Sequence, residues 1–241
     1  MSIAAPAQQA GIGDIAAPAQ NDPSGAPQSP APNTSPADSN GSAQPHAVPV
    51  PGLGPQTAAL IPEETSQVLV ASAANENSVT GELSVYRFED KQWKKLKTFD
   101  FHNGSNGWLK DRREGDETTP IGVFTLSDAG GDLPDPGAKL PYSHDPGLSA
   151  SASVAYGERY DRVFDYVVAI DYNRVPGKPP TDRTRPMGWD KGGGIWLHLD
   201  HGSATHGCVT LKEKDLRWLL RNLDPDAHPR IAMGPDAELR K

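Results

Sequence analysis

The sequence predicts one mainly β domain carrying a single helix, set behind a disordered spacer. Three observations carry that prediction. The first 60 residues hold no Lys, no Arg and no Phe, Trp or Tyr, and only Asp14, Asp22 and Asp38 are charged. The later sequence breaks into short β-branched and aromatic runs separated by Gly- and Pro-rich stretches. One leucine stripe at helical period stands near the end of the chain.

The Ala-, Pro-, Gly- and Ser-rich opening has too little apolar surface to offset the entropy of ordering it, so residues 1–60 read as a tail or spacer. Residues 61–241 carry every Phe, Trp, Tyr, Lys and Arg, and their length suits one domain with a sizeable core.

Ser66–Ser72 reads as a first strand. Glu82–Phe101 reads as a hairpin turning at Glu89-Asp90-Lys91-Gln92, with Leu83, Val85 and Phe88 on one side and Trp93 and Leu96 resuming beyond it. Ile121–Leu126 is the next strand, with Pro120 just ahead of it, where a missing N–H costs little. The segment SDAGGDLPDPGAKLPYSHDPGLSA is so dense in Gly, Pro and Asp that it reads as loop. Phe164–Asp171 and Ile195–Leu199 are apolar strands on either side of another long loop. Leu216, Leu219, Leu220 and Leu223 then recur at i, i+3, i+4 and i+7, one face of a helix over Lys212–Leu223. TLKE supplies a capping box with Thr210 as N-cap and Glu213 at N3. Pro225 stops the helix, and RIAMG closes the chain as a last strand.

The formal net charge is −8. Setting aside the three tail aspartates leaves 28 acidic against 23 basic residues, or −5, well mixed and without a Lys/Arg block. That argues against a nucleic-acid partner. No apolar run is long enough to span a membrane, no export signal is visible at the N-terminus, and a monomer is the expected assembly.

Chemistry concentrates in GIWLHLDHGSATHGCVTL, where His198, His201 and His206 accompany the only cysteine, Cys208. A neighbouring imidazole makes a thiol a nucleophile, and a helix starting at Thr210 would lower its pKa further. Gly207 allows a sharp turn whose N–H groups suit an oxyanion. Two other readings stay open: a small buried hydrophobe, and a zinc site. Zinc is disfavoured because all four ligands fall within eleven residues and His198 and His201 point to opposite faces of a strand.

THGCVTL, with His198 upstream in an apolar strand, resembles the signature of the L,D-transpeptidase (YkuD-like) catalytic domain: a strand histidine, then Ser/Thr-His-Gly-Cys and a helix. TTPIGVFTL, Thr118–Leu126, is similar to the family's Thr-Pro-x-Gly-x-Phe segment. The resemblance spans roughly Ser66 to Met233. It implies a β-rich sandwich or barrel with one helix after the cysteine, and an exported cell-wall enzyme acting on peptidoglycan stem peptides without metal or cofactor. By that resemblance Cys208 is the nucleophile, His198 the general base and His206 a supporting residue. Gly207 and Cys208 supply oxyanion N–H groups, and Thr205 stands at the Ser/Thr position. The product is a thioester, passed to an amine or, in the carboxypeptidase alternative, to water; a wall-binding module without turnover is a further alternative.

Trp189, Tyr156 and Thr210 are candidate substrate contacts, with Tyr160 beside them. Trp196 reads as core, His201 as an exposed turn residue, and Gly192–Gly194 as a place of close backbone approach. The family usually has Arg where Thr210 stands, and Arg185, Lys191 and Lys212 are the cations that could replace it.

Overall fold

The structure, a computed structural model, describes residues 45–241. Its elements in chain order are α1 (Pro55–Ala58), β1 (Gln67–Ala73), β2 (Thr80–Glu89), β3 (Gln92–His102), β4 (Trp108–Leu109), β5 (Thr119–Pro120), β6 (Gly122–Thr125), β7 (Ala129–Gly131), β8 (Tyr142–His144), α2 (Leu148–Tyr156), β9 (Val167–Ala169), β10 (Trp196–Leu199), β11 (Val209–Leu211), α3 (Glu213–Asn222), β12 (Arg230–Pro235) and α4 (Asp236–Leu239). A 3-10 helix, Glu158–Phe164, follows α2. Strand outweighs helix, 32% against 19%, so the fold is mainly β as the sequence predicts.

Two five-stranded sheets make the frame, one ordered β3-β2-β1-β12-β6 and the other β11-β10-β9-β7-β8. The β2–β3 hairpin turns through Asp90 and Lys91, both at positive φ (53° and 63°), the conformation that matches strand twist in a two-residue turn. Its register shifts after Val85: Val85 faces Lys97 and Tyr86 faces Lys95, so Leu96 is left out of the ladder and is 39% exposed.

The inner faces of both sheets share one core. Leu69, Leu83, Val85 and Phe101 from the first sheet meet Val168, Leu197, Leu199, Val209 and Leu211 from the second. Leu216, Leu219 and Leu220 close it from α3 and Leu223 from just beyond its end, each fully buried. The outer face of the second sheet is roofed by α2 and the 3-10 helix, through Leu148, Ala152, Val163 and Phe164. Four strands of that sheet, β7, β9, β10 and β11, are therefore buried along their whole length, while β8 at the edge is not.

Several expectations are corrected. The segment read as loop, Ser127–Ala150, contains β7, β8 and the start of α2; Leu148, Ala152 and Tyr156, four apart, form the packing face of that helix. Phe164 ends the 3-10 helix, so the strand predicted over Phe164–Asp171 shrinks to Val167–Ala169. Thr210 is not an N-cap. It lies in β11 opposite His198, and α3 begins only after Lys212, whose side chain makes no capping bond.

The spacer predicted for residues 1–60 lies outside the described residues up to position 44. Part of residues 45–60 is packed against the domain. Val50 is 2% exposed, Trp93 Nε1 donates to Val48 O at 2.9 Å, and the His46 ring meets Phe88 at 4.4 Å between centroids. With Ile61 and Leu239 they cover the outer face of the first sheet. Among the described residues no helix is long and apolar enough to cross a membrane.

Val50→Ala tests that packing. Burial of the lost methyl groups plus the cavity left behind should cost roughly 1.5–3 kcal/mol in urea unfolding. A solvated tail position would stay within about 0.5 kcal/mol.

Candidate active site

β10 has a period of two and is buried along its whole length, so its side chains part between two environments. Leu197 and Leu199 enter the shared core, while Trp196 and His198 face the roofed side. β11 runs parallel to β10 with Leu197 opposite Val209 and His198 opposite Thr210. Cys208, one residue before Val209, thus stands beside Trp196, on the same face as His198 and two residues from it along the strand direction. The Trp196 N–H donates to Cys208 Sγ at 3.4 Å, and the thiol donates to Gly194 O at 3.5 Å.

His198 is fully buried. Its Nδ1 lies 2.9 Å from Leu199 O. A carbonyl accepts only, so Nδ1 carries the proton and Nε2 presents the lone pair. Nε2 is buried without a hydrogen-bond partner among the described residues. Burial, reinforced by His201 and His206 and opposed by the Leu199 carbonyl and Asp200, pushes the His198 pKa down to about 3. The imidazole is therefore neutral at physiological pH and able to accept a proton.

The other two histidines gather on Tyr156. His206 stacks on its ring at 5.0 Å and 10°, and His201 lies 4.8 Å away. The reading of His201 as an exposed turn residue is corrected: it is half-buried, its ring stacks over His198 at 5.9 Å, and burial lowers its pKa. Among the described residues no group of three or more His, Cys, Asp or Glu side chains is arranged to hold a metal ion.

Thr205 builds the turn before the cysteine. Its hydroxyl donates to Cys208 O at 2.6 Å and accepts from Gly207 N at 3.0 Å. The Gly207 N–H, an oxyanion donor by resemblance, is thus held by Thr205 in this structure. Gly207 sits at φ +134°, and a Cβ there would lie 2.8 Å from Thr118 O. Only glycine fits.

Arg112 lies beneath this turn, and the sequence carries no signal for it. It is 1% exposed, its Nε is 3.6 Å from Asp116 Oδ1, and its guanidinium faces the Tyr172 ring at 5.7 Å. Asp116 Oδ1 also accepts from Thr118 N and Oγ1, at 2.9 and 2.7 Å. Thr118, the first residue of TTPIGVFTL to touch the turn, is thereby tied to Arg112, and its carbonyl backs Gly207.

The remaining candidates divide. Thr210 is fully buried, its hydroxyl donating to Asp200 Oδ1 at 2.9 Å and accepting from His102 N at 3.1 Å, so it offers no surface to a substrate. Trp196 is buried against Phe164 at 5.1 Å, and Tyr160 packs on His201 at 5.5 Å. Trp189 is 60% exposed between Arg183 and Arg185. A cleft of about 270 Å³ is lined by Leu148, Arg183, Arg185, Gly193, Gly194 and Trp196; it reaches Gly194 and Trp196, the two residues whose backbone bonds the Cys208 thiol, though Cys208 itself does not line it.

A family model for the L,D-transpeptidase catalytic domain (YkuD) matches residues 78–231, a span that holds both motifs, Cys208 and all three of these histidines. The chain belongs to the L,D-transpeptidase family. No curated protein matches it. Among solved structures it is similar to the structure of Bdellovibrio bacteriovorus Bd1075, with 19% identity, a TM-score of 0.36, and coverage of 70% of this chain and 48% of that one. The chain thus spans about half the length of that structure. Within this transpeptidase-family domain, the strand histidine and the Thr-His-Gly-Cys turn come together through the parallel pairing of β10 and β11.

Two outcomes follow for this family member. Gly207→Ala should lower stability by about 1–3 kcal/mol, from strain at positive φ and the clash with Thr118 O, read as a drop in the urea midpoint. His198 takes up a proton near 6.5 when unfolded but only near 3 when folded. Its contribution to stability is present above the unfolded value and lost as pH falls from 6.5 toward 3. His198→Gln should flatten the dependence of Tm on pH across that window.

Proposed function

We propose that this domain is a cysteine-dependent L,D-transpeptidase acting on peptidoglycan stem peptides outside the cytoplasm. One observation carries the reading: a thiol and a neutral imidazole share a face of two adjacent strands, the imidazole fixed by the Leu199 carbonyl with its lone pair turned inward.

In this reading His198 Nε2 takes the Cys208 proton as Sγ attacks the carbonyl that follows the L-centre of the diamino acid. The C–N bond to the terminal D-residue breaks, and His198 returns the proton to the departing amine. The resulting thioester is attacked by the side-chain amine of a second stem peptide; that amine gives its proton to His198, and the thiol is restored. Water in place of the amine gives the carboxypeptidase outcome from the same intermediate. His206, stacked on Tyr156, supports the roof of the site. Thr205 holds the turn that presents Cys208.

Incubation with a stem tetrapeptide followed by intact mass measurement tests this. The expected result is a covalent adduct lost in Cys208→Ala, with acylation slowed by about 10²–10⁴ in His198→Ala. Product analysis with and without an acceptor amine separates transfer from hydrolysis. Absence of any adduct on the wild-type protein would sink the nucleophile assignment.

A further inference from the structure

β3 ends at His102, and the chain there meets the loop that returns from β10 to β11 at three places. At the start of the loop the His102 ring donates from Nδ1 to Asp200 Oδ1 at 2.8 Å. The same oxygen accepts from Thr210 Oγ1 at 2.9 Å and from Gly202 N at 3.2 Å. Past the cysteine, the His102 N–H donates to Thr210 Oγ1 at 3.1 Å. Between these points the last turn of the loop is held by backbone alone. Thr205 N donates to Asn103 O at 2.9 Å, and Ser105 N donates to Thr205 O at 2.8 Å. His102 thus grips the entry of the loop with its side chain and the exit with its main chain, while the residues after it hold the turn that leads into Cys208.

Asp200 is where this clamp reaches the imidazole. The peptide group between Leu199 and Asp200 turns its C=O to His198 Nδ1 at 2.9 Å and its N–H to Leu211 O at 2.8 Å. That group is planar, so any rotation at Asp200 carries the Leu199 carbonyl with it. Three donors on one Asp200 oxygen oppose the rotation, and the one supplied by His102 is the one that comes from the first sheet. His102 and Asp200 do not line the cleft at Gly194 and Trp196; both are partly buried and face a separate recess walled by Thr80, Glu82 and Lys212. The two lysines that could replace the family's Arg are engaged elsewhere: Lys212 lies 3.8 Å from Asp100, and Lys191 pairs with Asp111.

We infer that His102 is a positioning residue for the acyl-transfer reaction: through Asp200 it fixes the peptide group that holds the His198 imidazole, and with it the loop that presents Cys208. The inference rests on the reading of Cys208 and His198 as nucleophile and base. His102 touches neither cleft nor thiol, so its effect falls on the rate of acylation and not on the binding of the peptide.

Two substitutions of one shape make the test. Asn places an amide N–H as far from Cβ as Nδ1 is, while Leu has the same branched outline and no donor. With a stem tetrapeptide at saturation, His102→Leu should slow acylation about tenfold or more at unchanged half-saturating concentration, and His102→Asn should stay within about threefold of wild type. Equal rates in the two variants, or a loss seen only in half-saturation, overturn the inference. Thr210→Val removes the hydroxyl shared by His102 and Asp200 and should slow acylation in the same direction; if His102→Leu does not fold, a wild-type rate in Thr210→Val overturns the inference instead. A spectroscopic readout needs no peptide. The His198 Nδ1 proton should exchange slowly with water in the wild-type protein and about tenfold faster in His102→Leu, with His102→Asn close to wild type. A proton equally protected in all three overturns the positioning role and leaves the nucleophile intact. A wild-type protein that is never acylated, yet whose His198 proton responds in this way, overturns the nucleophile reading and supports the positioning.

Discussion

β11 runs parallel to β10, and that single pairing dictates most of the site. A parallel neighbour has to start where its partner starts, so the chain leaving Leu199 must travel back the length of β10 before it pairs. It does so in Asp200–Cys208, fewer residues than such a return usually takes. There is no slack for an excursion. The loop lies back over the face from which it came, which sets His201 over His198 and His206 on Tyr156. It also ends on Cys208 beside Trp196. Thr205 closes the last turn with two hydrogen bonds from one hydroxyl, and Gly207 takes the conformation that no other residue tolerates there.

The rest of the fold gives this loop something rigid to lie on. Because β10 is buried on both faces, the same four residues anchor the shared core with Leu197 and Leu199 and furnish the site with Trp196 and His198. The first sheet and α3 hold the inner side. On the outer side, α2 and the 3-10 helix place Phe164 5.2 Å from the His198 ring, and this apolar cover accounts for the depressed basicity of the imidazole.

Where pattern and burial agree, the sequence is legible. The hairpin, the leucine stripe of α3 and the last strand each present several apolar residues at one clean period. The parts that escaped do so for physical reasons. α2 packs through Leu148, Ala152 and Tyr156, but serines at 149, 151 and 153 mask that face. β7 and β8 are three residues each and partly glycine or serine, held by neighbours rather than by propensity. TLKE has the composition of a capping box, yet pairing with β10 draws Thr210 into a strand and moves the helix start beyond it. Residues 45–60 look like spacer because a few side chains, Val50 and the ring of His46 among them, do all their packing. The motif residues at the site stand next to one another in sequence and were readable. Arg112 and Arg185 reach it from distant loops, and only the folded chain shows which glycines they cover.

The partner that orients His198 is a peptide carbonyl, where many such imidazoles are aligned by a carboxylate. A carbonyl has no proton to gain or lose. The tautomer of the imidazole is therefore held by a group that stays the same from acid to alkali, and the orientation of the ring adds no ionisation of its own to whatever the thiol and the histidine display. It also adds no charge of its own beside the imidazole, so the charges that act on His198 are those of Asp200 and the neighbouring histidines. The covalent backbone of β10, the same chain that carries the base, thus serves as its third member.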